Sequence, residues 1–167
     1  MSRELLVVRH GKSDWSQPDL SDFDRPLKKK GIAAARKMGR FLYEQGLKPD
    51  TILASSAKRA TETALLFAQQ LCFPEAKIQF LPQLYLCELE TLFTVLNAVS
   101  PAVQCPMVVG HNPGMDFLVR SLSRKTVSYR QDGKLMTTAA VAHFFLEGSV
   151  FQADAGRLEN LWRPADI

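Results

Sequence analysis

The sequence predicts an α/β fold, a three-layer α/β/α sandwich around a mostly parallel central sheet. Three observations lead there. Short apolar runs of strand length end in polar or charged residues at 4–10, 51–55 and 105–111. The stretches between them carry apolar residues at helical spacing. Strands alternating with amphipathic helices build βαβ units, whose helices cover both faces of a parallel sheet.

In chain order, Leu5–Val8 forms the first strand and runs into Arg9 and His10. Ile32, Ala35, Met38 and Leu42 then share one helical face, and Gly46 supplies the stop. A second strand covers 51–55. The helix expected over 57–71 follows Ser55 and Ser56, residue types that cap helices, and ends before Pro74. A strand at 77–81 is followed by a helix marked by Leu89, Leu92, Phe93, Leu96 and Val99, which stops before Pro101. After the strand at 105–111, Asn112 reads as an N-cap and Pro113 as the first residue of a helix to Leu122. Strands at 139–147 and 157–163 close the chain. No repeat, low-complexity tract or linker interrupts this order, so residues 1–167 are expected to form a single domain.

The composition, 46% hydrophobic and 23% charged over 167 residues, is that of a globular chain able to bury a full core. No apolar run reaches the roughly 20 residues of a membrane span, and Met1 leads straight into the first strand without a signal-peptide layout. Cys72, Cys87 and Cys105 form no CxxC pair, which suits a reducing compartment. A cytoplasmic location without a membrane partner is therefore expected. The net charge of +4 is uneven: residues 1–60 carry 13 Lys/Arg against 7 Asp/Glu, and residues 61–167 carry 8 against 10. Lys28, Lys29 and Lys30 supply much of the excess, either as a solvated helix start or as a positive field that draws anions. Nucleic acid is not expected, because no aromatic-basic interleaving or recognition motif accompanies them.

In a parallel α/β sheet, ligands bind beyond the carboxyl ends of the strands. That edge receives Arg9-His10-Gly11, then Ser55-Ser56 with Arg59 one turn into the next helix, then His111-Asn112-Pro113. Two of three histidines thus meet two arginines where helix N-termini also point. Forked guanidinium donors, imidazoles and positive helix ends compose a site for a dianionic phosphoryl group. No acid in these segments offsets the charge, so a bound anion is expected.

Other phosphate chemistries fail on spacing. Gly11-Lys12-Ser13 resembles the end of a Walker loop, but Leu6 stands where that loop needs glycine. A cysteine phosphatase needs arginine six residues after its cysteine, and those positions hold Ile78, Phe93 and His111. Asp22-Phe23-Asp24 resembles an aspartyl-phosphatase DxD, but a polar loop rather than an apolar strand precedes it. No HxH, HExxH or paired-cysteine spacing indicates a metal, and none is expected. His143 is expected on the solvent or partner face of its strand.

These residues resemble the histidine phosphatase superfamily, specifically its short phosphohistidine phosphatase (SixA-like) branch. The similarity runs nearly end to end: VVRHGKSDW (7–15), SDFDRPLKKKG (21–31), SSAKRATETA (55–64), LYL (84–86) and VVGHNPG (108–114), with weaker matches in TTAAVAHFFL (137–146) and the closing WRPADI. The resemblance implies a phosphoglycerate-mutase-like sandwich and a phosphohydrolase without a cofactor. It implies His10 as nucleophile, phosphorylated in line and then hydrolysed. It places Arg9, Arg59 and His111 on the equatorial oxygens, with Arg25 of the DRPL block near the phosphate. Many members carry an acid between the second arginine and the late histidine; Glu88 is the nearest candidate, as general acid or as a first-turn carboxylate. Glu90 points away from the helical face set by Leu89 and Leu92. Short members do not all keep this acid, which a phosphoramidate with a protonated imidazole leaving group tolerates. The implied substrate is phosphohistidine on a protein partner, since 167 residues leave little room for a lid over small substrates; a monomer is expected. The alternatives are a phosphatase of small phosphomonoesters and a non-catalytic phosphate-binding module.

Overall fold

Alternate residues of the first strand face opposite layers, which is why its apolar run is continuous. Leu5 and Val7 enter one core, and Leu6 and Val8 the other. The computed structural model describes residues 2–167. Its elements are β1 (Ser2–Arg9), α1 (Lys29–Glu44), β2 (Thr51–Ser55), α2 (Lys58–Gln70), β3 (Ile78–Leu81), α3 (Leu89–Asn97), β4 (Pro106–Gly110), α4 (Gly114–Leu122), β5 (Val141–Glu147) and β6 (Gly156–Trp162). Short 3-10 turns at Asp22–Asp24 and Pro82–Leu84 interrupt the connections.

The strands form one sheet in the order β3-β2-β4-β1-β5-β6. β1, β2, β3 and β4 pair in parallel, whereas β5 runs antiparallel to β1 and β6 antiparallel to β5. The sheet is therefore mixed, with its parallel part where the helices cross over. Met38 and Leu42 of α1 and Ala64 and Phe67 of α2 fill one layer. Leu92 and Leu96 of α3 and Met115, Leu118 and Leu122 of α4 fill the other. This is the three-layer sandwich expected from the sequence.

Helix ends place the site. Gly46, at φ +74°, ends α1: its N–H donates to Tyr43, while that of Leu47 donates to Leu42. At the other end, a Cβ on Gly31 would collide with the Lys12 carbonyl, so only glycine lets α1 start against the loop after His10.

Two helix starts differ from the sequence reading. The N-cap of α2 is Ala57, with no side-chain cap; Ser55 Oγ instead accepts the Ala57 N–H at 3.2 Å and turns inward. Helix α4 begins at Gly114 after a cis Asn112-Pro113 bond, so Pro113 lies outside the helix, yet Asn112 Oδ1 still accepts the Asp116 N–H at 3.1 Å. His143 is buried rather than facing solvent. Its Nε2 meets Glu4 Oε2 at 2.6 Å and its ring stacks near Trp162, because side chains from the flanking strands β1 and β6 reach over it.

Candidate active site

The carboxyl ends of β1, β2 and β4 bring Arg9, His10, Arg59 and His111 together, as the sequence suggested. His10 Nδ1 lies 2.7 Å from the Gly11 carbonyl. A carbonyl only accepts, so Nδ1 carries the proton and Nε2 keeps its lone pair. Arg59 directs its Nε–H at that Nε2 across 3.4 Å. His111 lies beside it, with ring centroids 5.0 Å apart and its Nε2 2.8 Å from Ser55 Oγ.

Burial sets the protonation of both rings. Desolvation, reinforced by the Arg59, Arg9 and Arg25 charges and opposed by the Gly11 carbonyl, lowers the His10 pKa to about 4. Desolvation, followed by the His10 and Arg59 charges, lowers His111 to about 3. Both imidazoles are neutral near pH 7. Arg9 is anchored by donating Nη1 to the Met136 carbonyl at 3.0 Å, a carbonyl that Asn112 Nδ2 also reaches at 3.1 Å.

Arg25 is buried beside this group. It donates to Ser13 Oγ at 3.1 Å and to Asp22, and its guanidinium lies 3.3 Å from the centre of the Trp15 ring. Glu88 is the exposed N-cap of α3, and among the described residues its carboxylate makes no hydrogen bond or ion pair.

Three residues escaped the sequence reading. Asp22 supplies the offsetting acid that was not expected: it pairs with Arg59 at 3.0 Å and with Arg25, and accepts from the Tyr85 hydroxyl. Burial opposes its charge, but the hydrogen bonds from Tyr85, Arg25 and Arg59 win and hold its carboxyl far below the usual range. Tyr85 lies with its ring against His111 on one side and Phe23 on the other, at 5.4 and 5.0 Å. Thr63 Oγ1 accepts the Gly11 N–H at 3.0 Å and donates to the Arg59 carbonyl at 2.7 Å, joining α2 to the loop beneath His10. Asp22, Tyr85 and Thr63 all stand inside the blocks DFDRPL, LYL and RATETA, which were the available signal.

The lysines add to the field. Lys28 starts α1 and, with Lys30, presses the exposed Lys12 ammonium below its ordinary pKa, so the solvated helix start is also a positive rim two residues from His10. No group of three or more His, Cys, Asp or Glu with metal-holding geometry occurs among the described residues. The site thus sets a neutral imidazole, its Nε2 free of a proton, against Arg59, with the Arg9 and Arg25 charges nearby.

Known proteins resemble this chain in sequence and fold. The family model for the histidine phosphatase superfamily (branch 1) matches residues 5–85. A structure of the protein histidine phosphatase SixA complexed with tungstate superposes with a TM-score of 0.83 at 25% identity, covering 98% of both chains. A mycobacterial glucosyl-3-phosphoglycerate phosphatase shares the fold, with a TM-score of 0.68 at 16% identity over 95% of this chain and 98% of that one. An uncharacterized chloroplastic protein of Arabidopsis thaliana is 33% identical over 138 residues, 78% of this chain and 63% of that protein. A 2,3-bisphosphoglycerate-dependent phosphoglycerate mutase of Leifsonia xyli subsp. xyli is 38% identical over 65 residues, 38% of this chain and 26% of the mutase. The chain thus spans less than two thirds of either curated relative. It is similar to the histidine phosphatase superfamily over residues 5–85 and has the phosphoglycerate-mutase-like fold of the SixA phosphatases.

Proposed function

We propose that the chain is a single-domain phosphohydrolase that works through a phosphohistidine on His10, and that its substrate is phosphohistidine carried by a protein. The observation that carries this reading is the state of His10: Nδ1 tied to the Gly11 carbonyl, Nε2 unprotonated and facing Arg59. Nε2 attacks phosphorus in line, the P–N or P–O bond to the leaving group breaks, and water then takes the phosphoryl group from His10. Arg9 and Arg59 hold the equatorial oxygens, with Arg25 behind them. His111 adds its Nδ1, a buried nitrogen without a partner among the described residues, once the Ser55 hydroxyl occupies Nε2. These charges matter most in the transition state, where one donor is typically worth on the order of 3 kcal/mol. The arginines supply the positive charge that a metal would otherwise bring, so no cofactor is invoked.

The leaving group supports the choice of substrate. The exposed Glu88 carboxylate has no hydrogen-bond or ion-pair partner among the described residues, so this reading gives it no part in protonating an alkoxide. A phosphoimidazole already protonated on its ring departs neutral. The test compares turnover of a phosphohistidine protein, phosphoramidate and a panel of sugar phosphates. The proposal expects the nitrogen-bound phosphates to be hydrolysed fastest. Faster turnover of sugar phosphates would establish the small-ester reading instead, and binding without turnover would establish a phosphate-binding module.

A further inference from the structure

Asp22, in the polar loop before α1, joins three residues of the site: Arg59, Arg25 and Tyr85. Its backbone carbonyl accepts Arg59 Nη1 at 2.6 Å, and its Oδ2 accepts Arg59 Nη2 at 3.0 Å. Both fork nitrogens of Arg59 are thereby held by one residue, fixing the plane of the guanidinium. Of the three N–H groups left, that of Nε points at His10 Nε2 across 3.4 Å. The other carboxylate oxygen takes Arg25, and the Tyr85 hydroxyl adds a third donor. The Ser21 hydroxyl caps the turn by accepting the Asp24 N–H at 3.3 Å, keeping Asp22 at this junction.

We propose that Asp22 is a positioning residue, which orients Arg59 so that Nε–H meets the reacting nitrogen of His10 and the oxygens of a phosphoryl group arriving there. The inference rests on the phosphatase reading of the site. Asp22 itself bonds to the arginines and Tyr85 rather than to His10, so it acts through Arg59. An exposed ion pair would deserve little weight, and the Asp22 side chain is 43% exposed; the Arg59 and Arg25 side chains, however, are only 4% and 7% exposed. Buried guanidinium groups depend on their partners for orientation. Tyr85, wedged between His111 and Phe23, holds the carboxylate in place and so belongs to the same device.

The opposite role is also chemically coherent: a carboxylate on the arginine forks could simply compete with phosphate for them. The two roles give opposite signs. Steady-state hydrolysis of phosphoramidate is measured for the wild type, Asp22→Ala, Asp22→Asn and Tyr85→Phe, together with inhibition by inorganic phosphate. The Arg59 Nε–H resonance is followed by 15N NMR without substrate. Positioning by Asp22 lowers kcat about 10- to 100-fold in Asp22→Ala with KM changed less than about threefold. Asp22→Asn, which keeps an acceptor oxygen and the fold's shape, recovers part of the loss, and Tyr85→Phe loses less than Asp22→Ala. The Arg59 resonance broadens or exchanges faster in Asp22→Ala. Undiminished kcat with tighter phosphate inhibition, or an unchanged Arg59 resonance, overturns the inference. If the wild type does not hydrolyse phosphoramidate, the phosphatase reading is at fault, and the Arg59 resonance still decides whether Asp22 orients that side chain.

Discussion

Lowering the pH from 7 to 5 should leave His10 almost wholly in its reactive form. Burial, with the arginine charges behind it, moves its pKa from the ordinary 6.5 to about 4, a bias of about 3 kcal/mol toward neutral imidazole. At pH 5 such a group remains roughly nine tenths neutral, whereas an ordinary histidine would be about 3% neutral, a thirtyfold difference in competent enzyme. The assay is kcat/KM against pH with an aryl phosphate whose own ionisation is measured separately and divided out. A 15N titration of the His10 ring in the free protein runs beside it. The acid limb should fall near pH 4, and Nδ1 should stay protonated throughout. An acid limb near 6.5 that follows protonation of His10 Nε2 would show that the ring is solvated, and the reasoning from burial would fail.

Further predictions concern stability and the remaining site residues. Because the His10 and His111 pKa values are both lowered by folding, the unfolded chain takes up the extra protons. Stability should be fully present above about pH 6.5 and decline as pH falls through about 4 and 3; thermal melts should show this, and a flatter profile is expected for His10→Gln combined with His111→Gln. Arg59→Ala should reduce turnover at least about a hundredfold while the fold is kept, as circular dichroism would verify. His143→Ala should leave kcat near the wild-type value but lower stability by roughly 2–4 kcal/mol in urea unfolding, since it empties a buried pocket and strands Glu4. Activity should persist in excess EDTA, and recovery only on adding a divalent ion would contradict an arginine-based mechanism.

Much of this molecule is legible in its sequence, for identifiable reasons. Strand positions followed from runs such as Met107-Val108-Val109, which are continuous because helices cover both faces of the sheet. The ligand edge followed from the parallel strands, and it located His10, Arg59 and His111. Chain reversals were not legible. Ser55 looked like a helix cap because serine usually is one, but the N-cap is Ala57, and the Ser55 hydroxyl both accepts the Ala57 N–H and meets His111. Pro113 follows a cis bond that no periodicity reports. His143 looked outward by alternation, and the Glu4 and Trp162 side chains that enclose it lie far away in sequence. Asp22 was read only as part of a DxD pattern, because its pairing with Arg59, 37 residues away, is made by the fold, although Arg25 three residues on was a nearer signal. Glu88 was placed by order along the chain, and order does not tell which groups its carboxylate meets.

The central claim is that His10 Nε2 forms a bond to phosphorus. Rapid quenching of the enzyme in alkaline detergent during turnover of 32P-labelled substrate, followed by alkaline peptide mapping, tests it most directly. Label should appear on the peptide containing His10, survive alkali, be lost on exposure to acid, and be missing from His10→Ala. Label that resists acid, or that persists in His10→Ala, would place the nucleophile elsewhere and contradict the mechanism.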